Sequence, residues 1–98
     1  FESFMDTGSH LRKLHYRAHH RGTREADAIV GGYFDQYHAH WSEADFDWFE
    51  ALLEEQDVDI MGWALGTIAI PDRWQGPMME VLKRLDYIAL PVGLGKAG

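Results

Sequence analysis

Between Leu11 and Ile88 the apolar residues recur at intervals of three and four, and strand-like alternation is confined to the short stretch Thr67–Ile70. A period near 3.6 puts apolar side chains on one stripe of a helix, whereas a half-buried strand needs a period of two. The chain can therefore bury its apolar groups only by packing helices on helices, which predicts an all-α fold, a small bundle of five helices. At 98 residues it is one small domain, too short for a two-domain enzyme, and without cysteine it is held together by burial alone.

Glycine, proline and capping residues divide the pattern. Leu11, Leu14 and Ala18 predict a first helix from about Ser9 to His20, stopped by Gly22. Thr23 caps a second helix, with Glu25 and Asp27 in its first turn and Ala26, Ile29, Val30, Tyr33, Phe34 and Tyr37 on one stripe. Gly31 and Gly32 interrupt it at about 1 kcal/mol each relative to Ala. They imply either a bend or close packing against a neighbour, and close packing is the expectation. Ser42 and Asp45 form a shortened capping box for a third helix, with Phe46, Phe49, Leu52 and Leu53 inward and Glu43, Asp47, Glu50 and Glu54 outward. Asp57 and Asp59 open a fourth helix through Ile60, Met61, Trp63 and Leu65, stopped by Gly66. After a loop over 67–76, Pro77 starts a fifth, in which Met78, Val81, Leu82, Leu85 and Ile88 keep helical spacing. The expected organisation is a loose leader at 1–9, a helical domain at 10–89 and a flexible tail at 90–98.

No apolar run approaches the roughly 18 residues of a membrane helix, and the first ten residues lack the basic start and apolar centre of a signal peptide. The chain reads as soluble, without direct membrane insertion and monomeric when free. Its expected place is the bacterial cytoplasm, or the mitochondrial matrix for a processed eukaryotic chain.

The formal charge of -7 is unevenly distributed. Residues 11–24 carry Arg12, Lys13, Arg17, Arg21 and Arg24 and no acid. Residues 25–59 carry eleven acids, Glu25, Asp27, Asp35, Glu43, Asp45, Asp47, Glu50, Glu54, Glu55, Asp57 and Asp59, and neither Lys nor Arg. The two blocks either form separate electrostatic faces or pair with one another in the fold.

Few residues offer chemistry of their own. His15 and His19 have the i, i+4 spacing that can clasp an ion on a helix face, but no HExxH surrounds them and neither His38 nor His40 brings an obvious third ligand. No metal site is expected. Ser3, Ser9 and Ser42 lie in the leader or at caps, and the acids of the third helix belong to its solvated face. No catalytic residue is assigned, and an enzyme is not expected.

Arg21-Gly22-Thr23-Arg24-Glu25 lies where the basic and acidic blocks meet. As a helix corner, Gly22 supplies a positive φ, Thr23 caps, and Arg21 and Glu25 complement the helix dipoles. As a recognition element, the same turn displays forked donors and an acceptor suited to a partner's polar surface. The residues satisfy both readings. Core packing accounts for Trp63, while Trp41 and Trp74 fall in expected loops, each folded back as a lid or exposed as an anchor.

The order of these features resembles the succinate dehydrogenase assembly factor family, the SdhE-type flavinylation factors. The likeness covers residues 11–88 and rests on the basic first helix, the RGxxE turn of Arg21, Gly22 and Glu25, FxxLLE at Phe49, Leu52, Leu53 and Glu54, and DxDIxxW at Asp57, Asp59, Ile60 and Trp63. The resemblance implies a five-helix fold. It also implies a chaperone-like role in attaching FAD covalently to a histidine of the flavoprotein subunit of succinate dehydrogenase and, in some bacteria, of fumarate reductase. On it, Arg21, Gly22 and Glu25 would contact that subunit, Arg24 fills a variable position of the motif, Arg17 belongs to the same basic face, and Asp59 and Trp63 serve chiefly fold and surface. FAD would be the client's cofactor, with none stably bound to this chain. Gly31, Gly32, Gly62 and the loop holding Trp74 depart from the family pattern.

Two other functions compete with this one. A helical nucleic-acid-binding or regulatory module would use residues 11–24 as a phosphate-binding patch, against the overall acidity. A direct FAD carrier would lack any glycine-rich dinucleotide fingerprint. The expected partner is the flavoprotein subunit and not nucleic acid.

Overall fold

A computed structural model describes the backbone of residues 2–88 and the side chains of residues 8–88; the expected tail at 90–98 lies outside the described residues. Five α-helices follow one another: α1 (Glu2–His19), α2 (Arg24–Tyr37), α3 (Glu43–Leu52), α4 (Asp57–Leu65) and α5 (Pro77–Leu82). Single 3₁₀ turns at His38–His40 and Asp72–Trp74 join α2 to α3 and α4 to α5. Among the described residues there is no strand, and Thr67–Ile70 is an irregular connection.

The capping residues act as their types require. The Thr23 side chain accepts from the Ala26 N–H at 3.1 Å. Ser42 and Asp45 form a reciprocal box, each side chain accepting the other's backbone N–H at 3.2 and 3.0 Å. Gly66 closes α4 at φ +83°, a conformation in which a Cβ is strained.

Two boundaries differ from the expectation. α1 starts at Glu2 and not near Ser9. No proline stops it, and apolar spacing marks only the part of a helix that packs on a neighbour. α5 ends at Leu82 although its apolar spacing runs on to Ile88. Leu85 takes φ +57°, turning the chain so that Tyr87 comes back and its hydroxyl donates to the Leu82 carbonyl at 2.6 Å. Leu85 and Ile88 still pack on the core, from a turn and not from a helix.

α1 and α2 form an antiparallel hairpin, in which Arg21 meets Asp27, His19 meets Gly31 and His15 meets Asp35. Leu14 and Ala18 of α1 and Ile29, Val30, Tyr33 and Phe34 of α2 enter the core with Phe49, Leu52 and Leu53, Ile60 and Trp63, Met79 and Leu82. Each such large side chain contributes about 1.5–3 kcal/mol through burial. α2 runs unbroken through its two glycines because both are sites of close approach. A Cβ on Gly31 would stand 2.5 Å from the His19 ring, and one on Gly32 would stand 2.9 Å from the Tyr87 carbonyl oxygen. Both loop tryptophans fold back. Trp74 is 3% exposed and packs on Trp48 and Trp63, while half-buried Trp41 packs on Tyr33, Phe34, Phe46 and Phe49.

Candidate docking surface

The α1–α2 corner divides its charged side chains between the inside and the outside. Gly22 has φ +121°, and residues 22–25 are exposed. The Arg21 backbone N–H donates to the Asp27 carboxylate at 2.5 Å, which closes the corner on the first turn of α2.

The Arg21 guanidinium turns inward. Its Nε donates to Asp57 at 2.7 Å, and its two Nη atoms donate to the carbonyls of Leu53 and Glu55 at 2.8 Å each. The side chain is only 10% exposed. Carbonyls at the C-terminal end of α3 lack intrahelical partners and carry the negative end of the helix dipole, and Asp57 opens α4. A planar fork with donors in three directions satisfies all of these groups at once. Arg21 therefore joins the corner to the α3–α4 junction, and its guanidinium is not displayed on the surface. Arg17 pairs with Glu54 at the same junction. The basic and acidic blocks thus pair across the fold, and Arg21 is turned away from any phosphate-binding patch.

Arg24 and Glu25 remain on the outside. Beside Glu25 lies an apolar strip. Val58, Met61 and Leu65 of α4 have i, i+3, i+7 spacing and line a shallow groove with Thr23, Glu25, Asp57 and Ile68. Val58 is 66%, Leu65 54% and Ile68 37% exposed. The opposite side of α4 places Ile60, Trp63 and Ala64 in the core. A helix apolar on both sides is suited to burying its second side against another surface.

Of the residues singled out in the sequence, Glu25 lines this groove, Gly22 is exposed at the corner, Arg24 faces a separate hollow with His19 and Asp35, and Asp59 is half-buried on α4. Trp63 is 4% exposed, so its contribution is to the core and not to direct partner contact. Sequence reasoning assigned Leu65 to the packed pattern of α4 and did not single out Val58 or Ile68. Their signal was an apolar count on α4 too high for one buried stripe. Gly62 is explained by the same region: a Cβ there would stand within 3 Å of the Ile68 side chain, and the Gly62 carbonyl accepts the N–H groups of Thr67 and Ile68.

Burial, and secondarily the neighbouring Tyr87, holds the Tyr33 hydroxyl pKa well above 10 while that hydroxyl donates to the Met78 carbonyl at 2.8 Å. Burial, with Asp86 beside it, does the same for Tyr87. These are structural hydrogen bonds away from the corner.

Comparison with known proteins places these features in one family. A family model described as "Flavinator of succinate dehydrogenase" matches residues 12–86. The chain is 31% identical over 69 residues to the FAD assembly factor SdhE of Acetobacter pasteurianus, covering 70% of this chain and 63% of that protein. It is 32% identical over 76 residues to the mitochondrial succinate dehydrogenase assembly factor 2 of Scheffersomyces stipitis, covering 74% of this chain and 50% of that protein. It is 31% identical over 84 residues to the protein of the same name from Yarrowia lipolytica, covering 82% and 58%. The chain thus spans between half and just under two thirds of the length of these relatives. By the match across residues 12–86, the chain belongs to the family of flavinators of succinate dehydrogenase.

Proposed function

We propose that this chain is a non-enzymatic assembly factor that docks on the flavoprotein subunit of succinate dehydrogenase and promotes covalent attachment of FAD to a histidine of that subunit. The relatives' names supply the client and the flavin. The observation that carries the docking surface is the exposed Glu25 beside the uncovered strip of Val58, Leu65 and Ile68, on a corner tied to the α3–α4 junction by the inward Arg21.

Flavin attachment needs a nucleophilic imidazole held at the reacting carbon of the isoalloxazine while negative charge develops on the ring, and the flavin and its own subunit supply both. The helper needs only to bind the conformation that brings those groups together, lowering the barrier by preorganisation. A preformed apolar strip with a charged edge suits that task, because little ordering entropy opposes docking. FAD is then the client's cofactor, fumarate reductase can be a second client, and the free factor is a monomer.

The test co-expresses the flavoprotein subunit with the wild-type chain, Glu25→Ala or Leu65→Asp, and reads covalent flavin by in-gel fluorescence. Both variants change exposed side chains and should stay folded while flavinylation falls. Equal fluorescence in all three would remove this surface from the function. Calorimetric titration with free FAD is expected to give no binding heat.

A further inference from the structure

We propose that His15, His19 and Asp35 form a binding site for one divalent transition-metal ion of the zinc class, bridging α1 and α2. The two imidazoles are one turn apart on α1, and the antiparallel hairpin brings the Asp35 carboxylate of α2 to them. Each residue offers a ligand atom, and no two of these atoms are more than 4.8 Å apart. His15 Nε2 lies 3.6 Å from Asp35 Oδ1, and His19 Nε2 lies 3.0 Å from Asp35 Oδ2. Bonds of about 2.0–2.1 Å in a tetrahedral site put neighbouring donor atoms about 3.3 Å apart, and these separations fall on either side of that value.

The way His19 is held favours a ligand over a plain ion pair. Its ring lies against the α2 backbone in a notch that exists because residue 31 is glycine; a Cβ there would stand 2.5 Å from Nδ1. The notch seats the ring with Nε2 3.0 Å from an Asp35 carboxylate oxygen, yet this buried nitrogen makes no hydrogen bond, since that oxygen lies off the N–H direction. His20 and His38 behave differently, each directing Nδ1 at the carbonyl of the residue four earlier, Tyr16 and Phe34, at 2.8 Å. Among the described residues His15 and His19 both pair with Asp35 of α2, whereas His10 pairs with Glu50 of α3. With two imidazoles, one carboxylate and no sulfur, the donor set suits zinc, nickel, cobalt or copper better than calcium or magnesium. His15 and Asp35 face solvent, so water completes the coordination shell. Arg24 lines the adjoining hollow, and its charge moderates the affinity.

The experiment titrates Zn²⁺ into the full chain, purified without a histidine tag, by calorimetry, and follows Co²⁺ substitution by its visible absorption. One ion per chain is expected, with affinity weakened about 10-fold or more in His15→Ala and in Asp35→Asn. The double change His38→Ala with His40→Ala should leave binding unchanged. His15→Ala and Asp35→Asn alter exposed side chains, and circular dichroism checks that both keep their helices. Absence of binding to the wild-type chain would overturn the site, as would undiminished affinity in both ligand variants.

Discussion

Arg21 shows how one side chain can satisfy a local motif while being committed elsewhere. Its position at the end of α1, before a positive-φ glycine and a threonine cap, follows from local residue types. Its guanidinium partners do not, because Leu53 and Asp57 lie 32 and 36 residues further along the chain. Arg21 and Asp57 are part-buried, and leaving such an acceptor without its charged donor typically costs about 1–3 kcal/mol. Arg21→Ala is expected to lose stability of that order in denaturant unfolding. Arg21→Lys should recover only part of it, since a single ammonium cannot reach three acceptors in a plane. A change of less than about 0.5 kcal/mol, the usual range for surface substitutions, would contradict the staple. Tyr33 gives a pH test. Its folded pKa lies above the ordinary value of 10.0 because burial disfavours the phenolate. The neutral hydroxyl therefore contributes its full stability below pH 10, and the contribution is lost as pH rises above 10 towards the folded value. Thermal melts should show falling stability above that pH, and a melting temperature that does not fall there would contradict this account of Tyr33.

The starts of α2 to α5 were legible in the sequence because their signals are local, whereas the start of α1 at Glu2 was not. Thr23, Ser42 with Asp45, Pro77 and the stop at Gly66 are used as their types predict. Endings set by distant contacts were less legible. The apolar spacing of α5 continues past Leu82, but the positive φ of Leu85 and the return of Tyr87 depend on packing against α2. The paired glycines of α2 were readable as close packing, although nothing local said against what. They now give opposed expectations. Gly32→Ala places a Cβ 2.9 Å from a backbone carbonyl that cannot swing aside, so overpacking of about 1–3 kcal/mol should outweigh the gain in helix propensity. Gly31→Ala meets the end of the His19 side chain, which can rotate away. It should cost much less and weaken metal binding instead. Melting temperatures of the two variants, with zinc titration of the second, check this contrast; equal losses would contradict it.

Across the whole molecule, the stretches that carry the family resemblance are one physical network. Arg21 of the turn, the carbonyls of Leu53 within FxxLLE and of Glu55 just after it, and Asp57 of DxDIxxW meet in a single set of hydrogen bonds, while Glu25 and Arg24 remain at the surface. That division was not readable from the sequence, since every residue of the turn suits both a corner and a recognition element. The net charge of -7 likewise hides pairs such as Arg17 with Glu54 and Arg21 with Asp57, in which the basic helix is matched to acids of the α3–α4 junction. On the proposed function, such a domain would hold a partly apolar surface against a client whose own flavin and histidine perform the reaction. The direct test is reconstitution from purified parts: the apo-flavoprotein subunit with FAD, with and without this chain, followed by covalent flavin against time. Faster attachment with the wild-type chain, lost when Glu25→Ala and Leu65→Asp are combined in a chain that still folds, is the predicted result. Identical time courses with and without the chain would contradict it.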